Sequence, residues 1–217
     1  MKLFPQRLLT LLALTASLGT ALTACVPVLM GGAMVGTAMV VSDRRTSGAQ
    51  LEDEGIELRS ASRIRDNLGD RVHVNVTSYN RRVLLTGEVP NAQDRQLVEQ
   101  IVSKVDNVQA VVNELAVLGK STLTQRSSDL LVSSRIKAAF VDAKDLFANA
   151  FNIEVERGIA YLMGRVTQRE ADRATEIART TSGVQKVVRV FELISEDELR
   201  SLQPPVESAN VKTITKP

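Results

Sequence analysis

Leu85-Thr86-Gly87-Glu88-Val89 returns 77 positions later as Leu162-Met163-Gly164-Arg165-Val166. The flanks return in the same order. Ser62-Arg63-Ile64 is answered by Ser134-Arg135-Ile136, and Val108-Gln109-Ala110-Val111-Val112 by Val184-Gln185-Lys186-Val187-Val188, at offsets of 72 and 76. Order is kept while spacing drifts, which places insertions in loops. Two copies of roughly 65 residues are too few for a solenoid, which needs at least about three repeats to bury its faces. The chain is therefore read as two small domains in tandem.

Each copy reads as αββαβ. In the first, Leu58, Ala61, Ile64 and Leu68 recur at helical spacing, predicting an amphipathic helix over Glu52 to Asn67. Val72, Val74 and Val76 alternate with polar residues, as in a half-buried strand. Asn80-Arg81 turns into a second strand, Arg82 to Val89. A helix with the stripe Leu97, Val98, Ile101, Val102 and Val105 follows, then a strand over Val108 to Val117. The second copy gives a helix from about Ser128 to Val141, a longer loop over Asp142 to Ala150, and a hairpin turning at Gly158. Its second helix buries Ala171, Ala174, Ile177 and Ala178, and a strand from Val184 to Ile194 closes it. A helical crossover before the third strand makes each sheet three-stranded and mixed, with both helices on one face. The expected fold class is α+β. The domains fall at 51–118 and 127–195, joined by the short linker Gly119 to Thr122 and followed by a tail at 196–217.

The N-terminus reads as an export signal. Residues 1–24 carry Lys2 and Arg7, an apolar run from Leu8 to Leu22, and small residues before Cys25. Leu22-Thr23-Ala24-Cys25 resembles a bacterial lipobox, in which the cysteine is acylated and becomes the first mature residue. Cys25 is the only cysteine of the chain, so no internal disulfide can form. Several acyl chains at about 0.8 kcal/mol per buried CH₂ make a lasting anchor. Val26, rather than Asp, follows Cys25, which resembles the class of lipoproteins sent to the outer membrane. Residues 25–50 read as the acylated cysteine and an apolar stem too short to span a bilayer, with Ser42 to Gly48 as a solvated linker.

The formal charge of +2 rests on Lys2 and Arg7; from Cys25 onward 25 basic residues meet 25 acidic ones. A near-neutral mature chain gives no footprint for nucleic acid. One His and one Cys cannot build a Cys/His nucleophile pair or metal cluster. His73 reads as a strand-surface residue. Asp94, Glu99, Glu170, Asp172 and Glu176 sit at helix starts and on polar faces, where carboxylates favour the dipole or solvent. Gly87 and Gly164 lack a phosphate-loop pattern and are expected to allow close packing against a helix. No catalytic residue, metal or cofactor is expected.

Helix, hairpin strand with Leu-x-Gly-x-Val, helix and the closing Gly183-Val184-Gln185-Lys186-Val187 resemble the BON domain. The likeness is most specific over Tyr161 to Ala171; in the first copy Arg81 stands where the hairpin glycine is expected, and Asp106-Asn107 precede Val108 where a glycine is usual. Two such domains behind a lipobox resemble the DolP (YraP) family of outer-membrane lipoproteins. That resemblance implies a palmitate-bearing, periplasm-facing protein that supports envelope integrity, binds anionic phospholipids (cardiolipin or phosphatidylglycerol) through the first helix of its second domain, and lies near the outer-membrane protein assembly complex.

The residues of that helix offer a surface for such contact. At about 100° per residue, Leu130, Ser133, Ile136 and Phe140 cluster as the expected core stripe. Leu131 points away from it, flanked by Arg135 and Ala138, with Val132 at the stripe's edge. Arg59 and Ser60 are read as the first-copy counterparts of Leu131 and Val132. Exposed apolar groups beside a cation suit a bilayer with anionic headgroups. The family position is aromatic, so Leu131 implies weaker binding. The rival reading is a protein-interaction scaffold, with Leu131 and Val132 buried against a partner or the first domain.

Overall fold

The computed structural model describes residues 43–202. The signal sequence, Cys25, the apolar stem and the tail beyond Leu202 lie outside the described residues. The element order is α1 (Ser47–Leu68), β1 (His73–Tyr79), β2 (Arg82–Val89), α2 (Ala92–Ser103), β3 (Ala110–Asn113), β4 (Ala116–Val117), α3 (Leu123–Asp142), β5 (Phe151–Glu156), β6 (Ile159–Val166), α4 (Gln168–Thr180), β7 (Lys186–Leu193) and α5 (Glu196–Leu202). The fold is α+β, two αββαβ units in tandem.

In each unit the hairpin is antiparallel and the strand after the crossover helix pairs parallel to the middle strand. The first sheet runs β1-β2-β3, with β4 continuing along the same edge of β2; the second runs β5-β6-β7. The expected single strand over Val108 to Val117 is thus broken at Glu114 and Leu115, and Leu115 turns into the core.

Helices cover one face of each sheet. In the first unit Ile56, Ile64 and Leu68 of α1 and Val98 and Val102 of α2 enclose Val83 and Leu85 of β2. In the second, Val132, Ile136 and Phe140 of α3 and Ala171, Ala174 and Ala178 of α4 enclose Ala160 and Leu162 of β6. Phe140 and Phe151 meet edge to face, 5.0 Å between centroids.

The opposite faces are covered as well. Tyr79 and Leu84 from the first sheet form one buried cluster with Tyr161, Met163 and Val190 from the second. The two units therefore pack sheet to sheet, with helices outermost. Every residue of β2 from Val83 to Val89 is buried, as a central strand covered on both faces must be.

The structure revises the phase of the first helix in each copy. The buried positions are Asp53, Ile56, Ser60 and Ile64 in α1, and Asp129, Val132, Ile136 and Phe140 in α3, each pair 76 apart. The match of Ser62-Arg63-Ile64 to Ser134-Arg135-Ile136 is one helical turn out of register. Leu58, expected in the core, is 73% exposed, and Leu130 is 69% exposed. The counterpart of Leu131 is Gly55, and Arg59 answers to Arg135. A leucine and a buried aspartate had exchanged roles: the stripe that packs is completed by a carboxylate.

That aspartate closes the hairpin. Asp53 accepts the backbone N–H groups of Asn80 and Arg81, and Asp129 those of Arg157 and Gly158, at 2.7 to 2.9 Å. All four turn residues have positive φ, so both turns bend with the strand twist and aim two amides at the helix. Arg81 and Asn107 adopt positive φ where the second copy has Gly158 and Gly183.

Gly87 faces strand β1, and Gly164 faces the single 3₁₀ turn that leads into β5, neither of them a packed helix. A Cβ on Gly87, whose φ is +109°, would lie 2.2 Å from the carbonyl oxygen of His73, and one on Gly164 would lie 2.3 Å from that of Ala150. The shared glycine permits close approach of the paired backbone.

Candidate functional site

Helix α3 begins in a capping box: Thr122 accepts the N–H of Gln125, whose side chain bonds back to the Thr122 N–H. The helix thus starts five residues before Ser128. Its inner side is fixed by Asp129 on the turn and by Val132, Ile136 and Phe140 in the core. Val132 is 3% exposed and seals the backbone at Gly183, where a Cβ would come within 2.5 Å of Val132 Cγ2. Its assignment to the outward surface is therefore corrected. Anchoring the packed stripe on Leu130 instead of Asp129 and Val132 had moved Val132 to the edge of the expected core.

An uncharged stripe runs along the outer side, bordered in the last turn by the exposed carboxylate of Asp142. About 100° of its circumference carries Leu123, Ser127, Leu130, Leu131, Ser134, Ala138 and Val141. Leu131 is 58% exposed and Leu130 more so. Lys137 borders this stripe on one side and Arg135 on the other, both exposed; Arg126 stands behind Lys137, tied to Ser121. Of the expected set, the structure brings Leu131, Arg135 and Ala138 together and removes Val132. Leu123, Leu130 and Val141 are additions that the mistaken phase hid.

A second constellation ties the two units together. Arg44 donates to both carboxylate oxygens of Glu170, at 2.7 and 2.8 Å, with both side chains buried, and to the Arg165 carbonyl. Arg45 pairs with Asp43 and Asp53 and lies 4.1 Å over the Tyr79 ring. The stretch read as a solvated linker is instead a clasp, with one arginine in each unit. Glu88, wholly buried on β2, accepts from Arg157 at 2.7 Å and lies 3.0 Å from His73 Nδ1. Burial alone would raise the Glu88 pKa, but the Ser121 N–H, Arg157 and His73 outweigh it and hold the carboxyl below its usual range. Glu170 is likewise held low: burial opposes ionisation, and Arg44 and the Thr167 N–H overcome it.

Five carboxylates were expected at helix starts and on polar faces. Glu99, Asp172 and Glu176 are there, with partners in Asn113, Arg189 and Arg179. Asp94 and Glu170 stand in the first turns of their helices but are buried: Asp94 accepts from the Asn91 side chain and Arg71, and Glu170 accepts from the Thr167 N–H and Arg44. These are structural ion pairs. The predicted tail at 196–217 begins as helix α5, whose Leu199 is buried and whose Glu198 meets Arg165.

Among the described residues, no group of three or more His, Cys, Asp or Glu side chains could hold a metal ion. No helix among them is long and apolar enough to cross a membrane.

Two sheet-packed αββαβ units define a tandem BON-domain protein: the BON domain model matches residues 52–119 and 128–194. Outer membrane lipoprotein DolP of Haemophilus influenzae is 36% identical over 176 residues, covering 80% of this chain and 90% of the relative. The 21 kDa hemolysin of Actinobacillus pleuropneumoniae is 29% identical, covering 70% and 79%. CdsD, a structural protein of the type III secretion system of Chlamydia trachomatis, is 14% identical with a TM-score of 0.26, covering 70% of this chain and 96% of that one; so slight a likeness carries no argument. The chain belongs to the dual-BON DolP family. It is an outer-membrane-associated envelope lipoprotein, not an enzyme.

Proposed function

We propose that the protein is anchored by acylated Cys25 in the outer membrane, faces the periplasm, and binds anionic phospholipid through α3, thereby supporting envelope integrity. The observation that carries this reading is the apolar outer stripe of α3, flanked by Lys137 and Arg135 along its length and by Asp142 only in its last turn. Leu123, Leu130, Leu131 and Val141 project from a helix already satisfied on its inner side. Each leucine that enters the acyl boundary contributes roughly 2 kcal/mol, and each nearby cation adds about 1 kcal/mol against an anionic surface. Ser127, Ser134 and Ala138 keep the stripe shallow and weak, so binding depends on the covalent anchor holding the helix near the membrane. Cardiolipin or phosphatidylglycerol supplies the anionic headgroup.

The first domain is a poorer surface. The outer side of α1 carries Leu51 and Leu58 but has Glu54 and Arg65 where α3 has Leu130 and Val141. Vesicle co-sedimentation of the unacylated protein from Ser42 tests the proposal. Phosphatidylglycerol or cardiolipin vesicles should pellet the protein, and Leu130→Glu with Leu131→Glu should abolish pelleting. Unchanged pelleting of the double variant would refute the helix assignment. Indifference to anionic vesicles would favour a scaffold in which a component of the outer-membrane protein assembly complex covers α3.

A further inference from the structure

An open groove of about 730 Å³ lies along α1 where the edges of β1 and β5 approach each other. Glu54 and Glu57 of α1 and Glu154 of β5 stand on its walls; Leu58, Val74 and Val76 give it an apolar floor. No Lys, Arg or His lines it. Leu58 is 73% exposed, on the outward side of α1.

Among the described residues, none of the three carboxylates forms an ion pair. Glu57 accepts one bond, from the Ser78 N–H. Among the described residues, Glu154 has no hydrogen bond or ion pair. Burial raises the Glu154 pKa, and the charges of Glu57 and Glu156 raise it further. Burial also raises that of Glu57; the Ser78 N–H and Arg45 oppose this, while Asp53 and Glu54 add to it. Both β1 and β5 are terminal strands of their sheets, and such edges carry backbone donors and acceptors open to a further strand.

We propose that this groove docks an extended protein segment bearing Lys or Arg on both sides of an apolar residue. The apolar side chain covers Leu58, the cations meet Glu57 and Glu154, and the segment's backbone runs along the strand edges. Charge selects a protein over the bilayer here, because three carboxylates repel anionic headgroups. The surface is distinct from the stripe on α3 and does not depend on lipid binding.

The test uses the mature protein and two synthetic octapeptides, one alternating Lys with Leu or Val and one with Glu in place of Lys. Titration calorimetry with NMR amide shifts should show the Lys peptide binding, with shifts centred on Glu57, Leu58 and Glu154. Glu57→Gln with Glu154→Gln should weaken it by about tenfold or more, as should Leu58→Ser. Glu99→Gln with Glu176→Gln, on other surfaces, should leave it unchanged. Full binding by the Glu57/Glu154 double variant, or equal binding of the two peptides, would overturn the proposal. So would sedimentation showing that Leu58 is covered by a second copy of the chain.

Discussion

Arg44 and Glu170, 126 positions apart, form a buried bidentate ion pair that ties the segment before the first domain to the second. Truncating one partner of such a pair strands the other's charge, which typically costs about 3–5 kcal/mol. Arg44→Ala should therefore lower unfolding free energy by about 3 kcal/mol, measured by urea denaturation. Arg44→Met with Glu170→Met should recover most of the loss, because the stranded charge is gone.

The shared glycines give a backbone prediction. Gly87→Ala forces a Cβ to within 2.2 Å of a carbonyl oxygen at positive φ, and should cost about 2 kcal/mol or more. Gly164→Ala should behave alike. At Gly119, where nothing lies within 4 Å of a Cβ, the same change should shift the midpoint by less than about 0.5 kcal/mol.

Asp53 and Asp129 each satisfy two turn amides. Asp129→Ala leaves both N–H groups without that acceptor and should destabilise the second unit by about 2 kcal/mol. Hydrogen exchange at Arg157 and Gly158 should rise accordingly.

Acid acts on the buried Glu88 and the half-buried Glu154 with opposite sign. Glu88 has a lowered folded pKa, so its stabilisation is present above the unfolded value near 4.5 and is lost as pH falls below it. Glu154 has a raised folded pKa, so it penalises folding as pH rises above the unfolded value and costs nothing below it. Glu88→Gln should lower the melting temperature at neutral pH, with a smaller loss in acid. Glu154→Gln should raise it at neutral pH and leave it unchanged near pH 4.

The repeated Leu-x-Gly-x-Val stretch was enough to read element order, sheet pairing and two of the four helical core stripes. It was not enough to fix α1 and α3, because their packing stripes contain Asp53, Ser60 and Asp129 while Leu58 and Leu130 face outward. Apolar periodicity assigns leucines to the core, and here the hairpin's need for a buried acceptor overrode it. The domain interface had a readable signal: Val83-Leu84-Leu85 and Ala160-Tyr161-Leu162-Met163 are apolar on both strand faces, which a sheet with one solvated face does not require. The clasp of Arg44 and Arg45 had none, since a short charged stretch before a helix looks like any linker.

The central claim is that α3 meets the bilayer with its apolar outer stripe. An environment-sensitive fluorophore on a cysteine at position 131, compared with one at position 58, reports this directly in the unacylated protein with phosphatidylglycerol vesicles. The account predicts a blue-shifted, brightened emission for Leu131→Cys and none for Leu58→Cys. An equal response at both positions, or a response at 58 alone, would contradict it.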